Sequence, residues 1–361
     1  MRIQSASLIA IGWLAVAPPL IAQLRYAIAD ELAGGPGTPP VVVLRDNTAG
    51  VEAAIAPSEG GELASYRVKI RGEWTEFLFH ARDYSPGAGF KGKGPLLWPA
   101  VGAQFPVGTV PAVSCGPGTY QQAGKSYPMP CHGFAKSLPW RESKRSADAK
   151  GARVTVQLRD SGETLPSYPY AFRVDATYEL AGGRLTIDYV VASGASNKSE
   201  MIFAIGNHIA FKLPFVKGSE PDKMTFETNS TTQLLRNPQG TLSGESKPRT
   251  FHPAERLGDF DSRVALPLAG YGRSQPFAKL VDPQGVSLLL TQQASTAASE
   301  PIVRFNLYGG PQVGYLCPEP FFGVQNSLNT GQGLVRLRPG KDWKWRLELR
   351  VDDTREPAHS R

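Results

Sequence analysis

Apolar and polar residues alternate along several long segments of the chain. Apolar side chains occupy every second position from 153 to 159, from 172 to 180 and from 185 to 191, and the alternation returns from 343 to 351. A period of two places successive side chains on opposite faces of a strand, so each segment predicts a strand with one buried and one solvated face. The Ala-Gly-Gly turn at 181–183 predicts that the second and third segments pair as an antiparallel hairpin.

The composition favours an all-β fold. The chain has 361 residues, of which 41% are hydrophobic and 20% charged, as in an ordinary globular protein. Its 38 glycines and 31 prolines are many for a helical protein, and no long run has helical spacing of apolar residues. No repeat of fixed period indicates a propeller or a solenoid. We therefore predict a large antiparallel β-sandwich that forms a single domain over residues 41–355.

Residues 1–29 have the features of a signal peptide. Arg2 supplies a positive charge, an apolar stretch runs from 8 to 22, and the small residues at 27–29 have the spacing of a signal-peptidase site. A retained membrane anchor is the alternative, but prolines and an arginine leave too short an apolar run to span a bilayer. We expect cleavage at the end of this segment, a flexible leader over 30–40, and a periplasmic or secreted protein with no stable membrane span.

Export would make the cysteines interpretable. Cys115 and Cys131 flank a short loop and could form a disulfide in an oxidising compartment, worth on the order of 3 kcal/mol. Cys317 would then remain unpaired, and we assign it no chemistry because a buried free cysteine is common. The cysteine spacing fits no zinc pattern, so no metal is expected.

The charge of the chain does not predict a nucleic-acid partner. The net charge is +7 and the pI is about 9.2. The basic residues are scattered among acidic ones and form neither a basic helix nor an aromatic-basic repeat. A solvated, mildly cationic surface accounts for this distribution.

Three segments carry side chains suited to proton transfer. Glu319 lies between two prolines, which favours an extended backbone and a fixed direction for its carboxylate, although an edge-strand glutamate facing water is the alternative. His132 lies in a loop punctuated by glycine. His208 shares its strand parity with small residues, whereas Asn207 shares the parity of large apolar ones, so His208 could form the floor of a cleft. A structural, hydrogen-bonded histidine is the alternative there.

These segments resemble the aldose 1-epimerase (galactose mutarotase-like) family. Residues 131–136, Cys-His-Gly-Phe-Ala-Lys, are similar to that family's His-Gly-Phe-Ala-Arg segment, and residues 207–213 are similar to its Asn-His-x-x-Phe-Asn-Leu strand. Glu319-Pro320 resembles its C-terminal Glu-Pro. Residues 94–99 and 57–61 are similar to its Pro-Leu-Leu-Phe-Pro and Pro-x-x-Gly elements. The five matches follow the family's order over most of the chain, which makes the resemblance specific.

The resemblance implies a β-supersandwich that binds a sugar on a concave face and interconverts its anomers without a cofactor. By the same resemblance, Glu319 is the general base for the C1 hydroxyl, His208 is the general acid for the ring oxygen, and His132 is a hydrogen-bond partner of that oxygen. Trp98, the tryptophan of the 94–99 element, could stack on a sugar face or could equally be a buried core residue. The residues expected to contact the substrate are Asn207, Trp98, Lys136 and Lys212.

The chain departs from the family pattern at positions expected to contact substrate. Lys136 replaces the usual arginine, Lys212 replaces the usual asparagine, and residues 101–104 lack an arginine that the family has there. The family's sugar-contacting aspartate corresponds to Asp259 or Asp261. His80 and His252 are interpreted as structural or surface residues.

Two functions are therefore compatible with the sequence. The first is an exported aldose 1-epimerase whose partner is a small sugar or the end of a glycan. The second is a carbohydrate-binding envelope protein that uses the same cleft without catalysis. A sugar phosphate is less favoured, because no arginine cluster can be assigned to the cleft from the sequence. The sequence leaves the oligomeric state open.

Overall fold

The structure is a computed structural model that describes residues 24–85, 92–110, 115–238, 240–294 and 303–355. Strands dominate these residues. They contain one short helix, α1 (Ser327–Thr330), and 3₁₀ turns at Ala135–Ser137, Pro221–Lys223, Leu257–Asp259 and Pro311–Val313. The strands are β1 (Tyr26–Leu32), β2 (Pro40–Asp46), β3 (Val51–Ala56), β4 (Glu62–Ile70), β5 (Glu73–Glu76), β6 (Leu96–Leu97), β7 (Gly118–Gln122), β8 (Lys125–Met129), β9 (Arg141–Asp148), β10 (Gly151–Arg159), β11 (Phe172–Ala181), β12 (Arg184–Ser193), β13 (Met201–Phe203), β14 (Ile205–Asn207), β15 (Phe211–Lys212), β16 (Thr225–Thr228), β17 (Thr232–Arg236), β18 (Leu242–Pro248), β19 (Glu255–Arg256), β20 (Ser262–Ala269), β21 (Phe277–Val281), β22 (Val286–Ala294), β23 (Val303–Gly310), β24 (Tyr315–Phe322), β25 (Val335–Leu337) and β26 (Asp342–Asp353).

The four segments with alternating patterns are neighbours in one sheet. The predicted hairpin is β11 and β12, in which Ala181 pairs with Arg184 across the glycine turn. Strand β10 pairs with β11, and β26 pairs with β12. Burial alternates along β11 residue by residue, as expected for a sheet with one dry face. The prediction of an all-β, antiparallel fold is confirmed.

Three large sheets form the body of the protein. A nine-stranded sheet has the order β19-β16-β21-β22-β26-β12-β11-β10-β9, and a five-stranded sheet has the order β1-β2-β3-β4-β5. An eight-stranded sheet has the order β18-β17-β20-β23-β24-β14-β6, with β15 pairing beside β24. Both smaller sheets cover the apolar face of the nine-stranded sheet. Tyr178 in β11 donates a hydrogen bond to the carbonyl of Gly61 beside β4, and the ring of Trp345 in β26 lies 5.8 Å from that of Phe322 in β24.

Strand β24 has two chemically different faces. Leu316, Phe322 and the two prolines between them face the core, on the parity opposite to Glu319. Glu319 and Phe321 share the other face, which borders a cleft. The interior of the sandwich thus holds this strand in place while its other face is available for chemistry.

The amino-terminal prediction is wrong in part. Residues 1–23, most of the predicted signal peptide, lie outside the described residues, but Tyr26–Leu32 form β1 and pair along their whole length with β2. Tyr26 is buried in the core, and its hydroxyl accepts a hydrogen bond from the backbone of Gly182. The small residues at 27–29 are therefore part of a paired strand, as are the first three residues of the predicted leader. The folded chain begins before residue 41.

No helix within the described ranges has the length and apolar character needed to cross a bilayer.

Candidate functional site

A cleft of about 620 Å³ opens on the eight-stranded sheet and contains the three residues predicted for proton transfer. Glu319 projects from the middle of β24, His208 follows the end of β14, and His132 lies in the loop after β8. These positions are far apart in the sequence. Sheet pairing brings them together, because β14 and β24 are neighbours and the loop carrying His132 bonds to the segment after β6.

The prolines around Glu319 lie at an interruption in the sheet. On one side β24 pairs with β23 along its full length. On the other side its pairing with β14 is limited to Phe321 and Phe322, and its pairing with β15 to Tyr315 and Leu316. Residues 317–320 lie between these two short pairings. Proline has no N–H to donate to a ladder, so it is tolerated where one side of the strand is unpaired. The predicted extended backbone is confirmed.

The carboxylate of Glu319 is buried and contacts two polar partners. The residue is only 3% exposed. Its Oε1 lies 3.0 Å from Nε2 of His208, and its Oε2 accepts a hydrogen bond of 3.0 Å from Nδ2 of Asn306. Burial raises the pKa of Glu319, while His208, Asn306 and two nearby arginines limit the rise because they stabilise the charged form. The alternative of a water-facing glutamate on an edge strand is excluded.

His132 is held in a strained turn by backbone contacts. Its φ is +64° and that of Gly133 is +70°. A side chain on Gly133 would bring its Cβ within 2.1 Å of the carbonyl oxygen of Trp98, so glycine is required there. The backbone N–H of Gly102 donates to Nδ1 of His132 at 3.0 Å, and the N–H of His132 donates to the carbonyl of Gly102.

This hydrogen bond fixes the proton on the His132 ring. Burial lowers the pKa of His132 to about 3, so the ring is neutral at physiological pH. Since Nδ1 accepts a hydrogen bond, the ring proton lies on Nε2, which can then act as a donor. The ring centroids of His132 and His208 are 6.1 Å apart. The cleft therefore combines a neutral imidazole donor with a histidine that contacts a carboxylate.

A disulfide and a lysine stabilise the loop that carries His132. Cys115 and Cys131 are joined, with Cα atoms 5.3 Å apart, and both border the cleft. Nζ of Lys136 donates to the carbonyls of Cys131 and Gly133 at 3.0 and 2.9 Å. Burial lowers the pKa of Lys136 to about 8. Lys136 is not among the described residues that line the cleft, and its amine contacts the loop backbone instead, so its contact with substrate stays a prediction.

The structure places three further expected substrate contacts outside the described lining of the cleft. Trp98 is fully buried, and its ring packs against a cluster of core aromatic rings. Asn207 is fully buried and donates to the hydroxyl of Tyr189 at 2.6 Å, toward the nine-stranded sheet. Its position agrees with the apolar parity of its strand. Lys212 lies on β15 and is absent from the described lining of the cleft.

The aspartate expected from the resemblance does not lie in the cleft. Asp259 and Asp261 are both exposed, and Asp261 pairs with its neighbour Arg263. Neither is among the described residues that border the cleft. His80, which we interpreted as structural or surface, does border it.

Sequence analysis missed a row of polar side chains on β23. Arg304, Asn306 and Tyr308 alternate with Phe305 and Leu307, and the polar set faces the cleft. The alternation is visible in the sequence and could have identified one wet face. The cleft is also lined by Arg236 at the end of β17, and by Tyr315 and Gln325. The sequence gives no signal that Arg236 and Arg304 meet.

Two sets of described side chains are close enough together to hold a metal ion, but Cys115 and Cys131 of the set with His132 are joined in a disulfide, which leaves the second set. The candidate ligand atoms of His208, Cys317 and Glu319 all lie within 4.8 Å of one another. Cys317 is fully buried, and burial raises the pKa of its thiol, which disfavours the thiolate that metals prefer. The expectation that no metal is used stays a prediction.

A supersandwich with one buried carboxylate and two imidazoles around an open cleft defines a protein equipped for acid–base chemistry on a small molecule. The family model for aldose 1-epimerase matches residues 40–350. The chain therefore belongs to the aldose 1-epimerase family.

Individual curated relatives match only part of the chain, at low sequence identity. The chain is 29% identical over 104 residues to a protein of Escherichia coli strain K12 named "Putative glucose-6-phosphate 1-epimerase", and 25% identical over 122 residues to a protein of the same name from Salmonella typhimurium. These alignments cover 29% and 34% of this chain, and the same shares of the two relatives. The chain thus spans about a third or less of the curated relatives it matches.

Solved structures support the fold over nearly the whole chain. The Slr1438 protein of Synechocystis sp. PCC 6803 is 25% identical with a TM-score of 0.67, covering 88% of this chain and 97% of that one. A galactose mutarotase-like protein of Clostridium acetobutylicum is 18% identical with a TM-score of 0.69, covering 91% and 99%. Galactose 1-epimerase of Lactobacillus acidophilus is 17% identical with a TM-score of 0.67, covering 92% and 99%.

Replacing Cys115 and Cys131 together by serine should lower the free energy of unfolding by about 3 kcal/mol, because the disulfide closes a loop of 16 residues and its loss frees the unfolded chain. Urea denaturation followed by circular dichroism would measure the change. Reduced wild-type protein, unfolded in the presence of reductant, is the matched control and should unfold at the same urea concentration as the double variant. An unchanged midpoint in both samples would contradict the assigned role of the disulfide.

Proposed function

We propose that this protein is an aldose 1-epimerase that interconverts the anomers of an aldose by acid–base ring opening. The observation that carries the proposal is the grouping of Glu319, His208 and His132 around one cleft, with the carboxylate 3.0 Å from one imidazole. Membership of the aldose 1-epimerase family supports the same activity. The cleft volume is in the range of small-molecule sites.

The proposed reaction needs one proton removed and one delivered. Glu319 takes the proton from the C1 hydroxyl as the bond between C1 and the ring oxygen breaks, and protonated His208 delivers a proton to that oxygen. C1 becomes an aldehyde carbon and can rotate before the ring closes. On closure the hydroxyl returns its proton to His208, Glu319 returns its proton to the new C1 oxygen, and both residues regain their starting states. No net proton is gained or lost.

His132 is suited to a different task from His208. Its neutral ring with the proton on Nε2 is a hydrogen-bond donor that does not need to titrate. In the proposal it binds the ring oxygen and stabilises the charge that develops there as the ring opens. A carbohydrate-binding protein without catalysis would also use such a donor, but would not need a buried carboxylate in contact with a second imidazole.

We also propose that the protein acts after export. The apolar segment before residue 23 and the Cys115–Cys131 disulfide support this, because disulfides persist in oxidising compartments. Strand β1 starts at Tyr26, so a cleavage that leaves the folded domain intact must lie before that residue.

The catalytic proposal predicts that Glu319→Gln and His208→Asn each slow anomer exchange by about 10²- to 10⁴-fold, because each removes one proton-transfer group. Exchange on free aldoses would be followed by magnetisation-transfer NMR. Glu245→Gln and His252→Asn, which change exposed residues outside the cleft, are matched controls and should keep the wild-type rate.

Two outcomes would count against this proposal. A wild type that binds an aldose but exchanges its anomers no faster than buffer would favour the carbohydrate-binding function. An active wild type with unchanged rates in both cleft variants would refute the site assignment.

The reaction should lose rate on the acid side as Glu319 becomes protonated. Because burial raises the pKa of this group, the fall in kcat/KM should be centred above 4.5, the ordinary value for a glutamate. Asn306 stabilises the charged carboxylate, so Asn306→Ala should move the fall to still higher pH. A pH–rate profile of wild type and variant tests both statements. A fall centred at or below 4.5 would contradict the role of the buried base.

Export predicts a mature protein whose first residue lies before Tyr26. Expression in a Gram-negative host, fractionation of the periplasm and mass spectrometry of the intact protein would locate the cleavage point. A full-length protein that remains in the cytoplasm would contradict export. A mature chain that starts after Ala29 would show that β1 is not needed in full.

A further inference from the structure

The cleft contains a buried cation that no described residue neutralises directly. Arg304 is only 2% exposed, and its Nε and Nη1 atoms are buried without a hydrogen-bond partner. Its guanidinium lies 5.1 Å from the ring centroid of Phe321 and forms no ion pair with a described carboxylate. Burying an arginine without such partners is costly unless something else supplies the missing interactions.

A second arginine increases the positive charge of the same cleft. Arg236 borders the cleft, and its Nη2 donates to Oδ1 of Asn306 at 3.1 Å. The same Asn306 donates through Nδ2 to Glu319. Among the described residues that border the cleft, Glu319 is the only acid, whereas Arg236 and Arg304 are both cationic and His132 is neutral. With Glu319 ionised, the two arginines leave one surplus positive charge in the cleft, and protonated His208 of the proposed reaction adds a second.

The spacing of these groups suits the two ends of one sugar. Arg304 and Asn306 lie two positions apart on the same face of β23, and Asn306 pairs directly with Glu319. Two residues of a strand rise by about 7 Å, which is comparable to the length of a monosaccharide. A sugar with C1 at Glu319 can therefore place its opposite end near Arg304.

We propose that the substrate is a hexuronate, an aldose whose C6 is a carboxylate, and that Arg304 and Arg236 bind this carboxylate. The inference rests on the proposed ring-opening function and names its substrate class. A planar carboxylate matches the fork of a guanidinium and can fill donors that are otherwise unpaired. Its negative charge also offsets positive charge that Glu319 leaves unbalanced in the cleft.

A sugar phosphate fits these groups less well. A phosphate ester carries about −1.5 to −2 charges near neutral pH and three acceptor oxygens. The described residues that border the cleft include no lysine, serine or threonine to provide further donors. The carboxylate is therefore the anion that the described cleft favours.

The test compares anomer exchange of two substrate pairs and one phosphate ester by magnetisation-transfer NMR. The probes are D-glucuronate with D-glucose, D-galacturonate with D-galactose, and D-glucose 6-phosphate. We expect kcat/KM to be at least about 10-fold higher for one hexuronate than for its neutral partner, since hydrogen bonds to charged groups are the stronger ones. A neutral sugar or the phosphate ester as the best substrate would overturn the proposal.

Variants separate a carboxylate-binding arginine from one that only tunes Glu319. Arg304→Met should lower kcat/KM for the hexuronate by about 10- to 100-fold, mainly through a higher KM. It should also lower the ratio of kcat/KM for the hexuronate to kcat/KM for the neutral sugar. Arg304→Lys should recover part of the ratio. Equal losses on both sugars, with a shift of the pH profile, would assign Arg304 to Glu319 alone and refute the inference. Should Arg304→Met not fold, Arg236→Met provides the same comparison from a less buried position.

A binding measurement distinguishes failure of this inference from failure of the proposed function. Thermal unfolding of the wild type would be followed with added glucuronate, galacturonate or glucose. Stabilisation by a hexuronate alone, without anomer exchange of any sugar, would leave the carboxylate subsite standing and remove the epimerase function. Exchange of neutral sugars without stabilisation or turnover of a hexuronate would remove the subsite and leave the epimerase function.

Discussion

The site depends on the contact between His208 and Glu319, and that contact depends on a gap in one sheet. A continuous ladder would place another strand beside residues 317–320 of β24. Instead, the adjacent segment of the same chain pairs with β24 through β14, leaves the ladder at His208, and pairs with β24 again through β15. Pro318 and Pro320 have no N–H group. The interruption therefore leaves no N–H of these two residues without a partner. His208 lies in the segment that crosses this interruption, and its Nε2 is 3.0 Å from the Glu319 carboxylate.

The second imidazole is positioned by a different device. His132 lies in a loop whose backbone adopts left-handed conformations. The loop is joined to its surroundings by a disulfide, a lysine and two hydrogen bonds with the backbone of Gly102, one from the His132 backbone and one to its ring. These contacts set the direction of the ring and the position of its proton. The two histidines therefore differ in chemistry because their environments differ. His132 is buried and neutral, whereas Nε2 of His208 lies 3.0 Å from an oxygen of the Glu319 carboxylate.

Local sequence patterns predict much of the fold and part of the candidate site. The alternation of apolar and polar residues in β10, β11, β12 and β26 was sufficient to predict these strands, because a period of two residues indicates a strand with one buried face. The substrate contacts were less predictable. Trp98 stands in a motif similar to the family's, yet packs among core rings, and Asn207 follows the apolar parity that the sequence displayed. The start of the domain was also misjudged, because small residues at 27–29 fit both a cleavage site and a paired strand.

The sequence by itself determined the class of fold, the disulfide partners that were available, and the three side chains able to move protons. These follow from local alternation, proline constraints and motif order, all of which are properties of neighbouring residues. Only the tertiary structure decided that Arg236 and Arg304 share the cleft with Glu319, and that Lys136, Lys212 and the two aspartates do not border it. Those outcomes depend on pairing between strands distant in the chain, where a shift of one residue exchanges the faces of a strand.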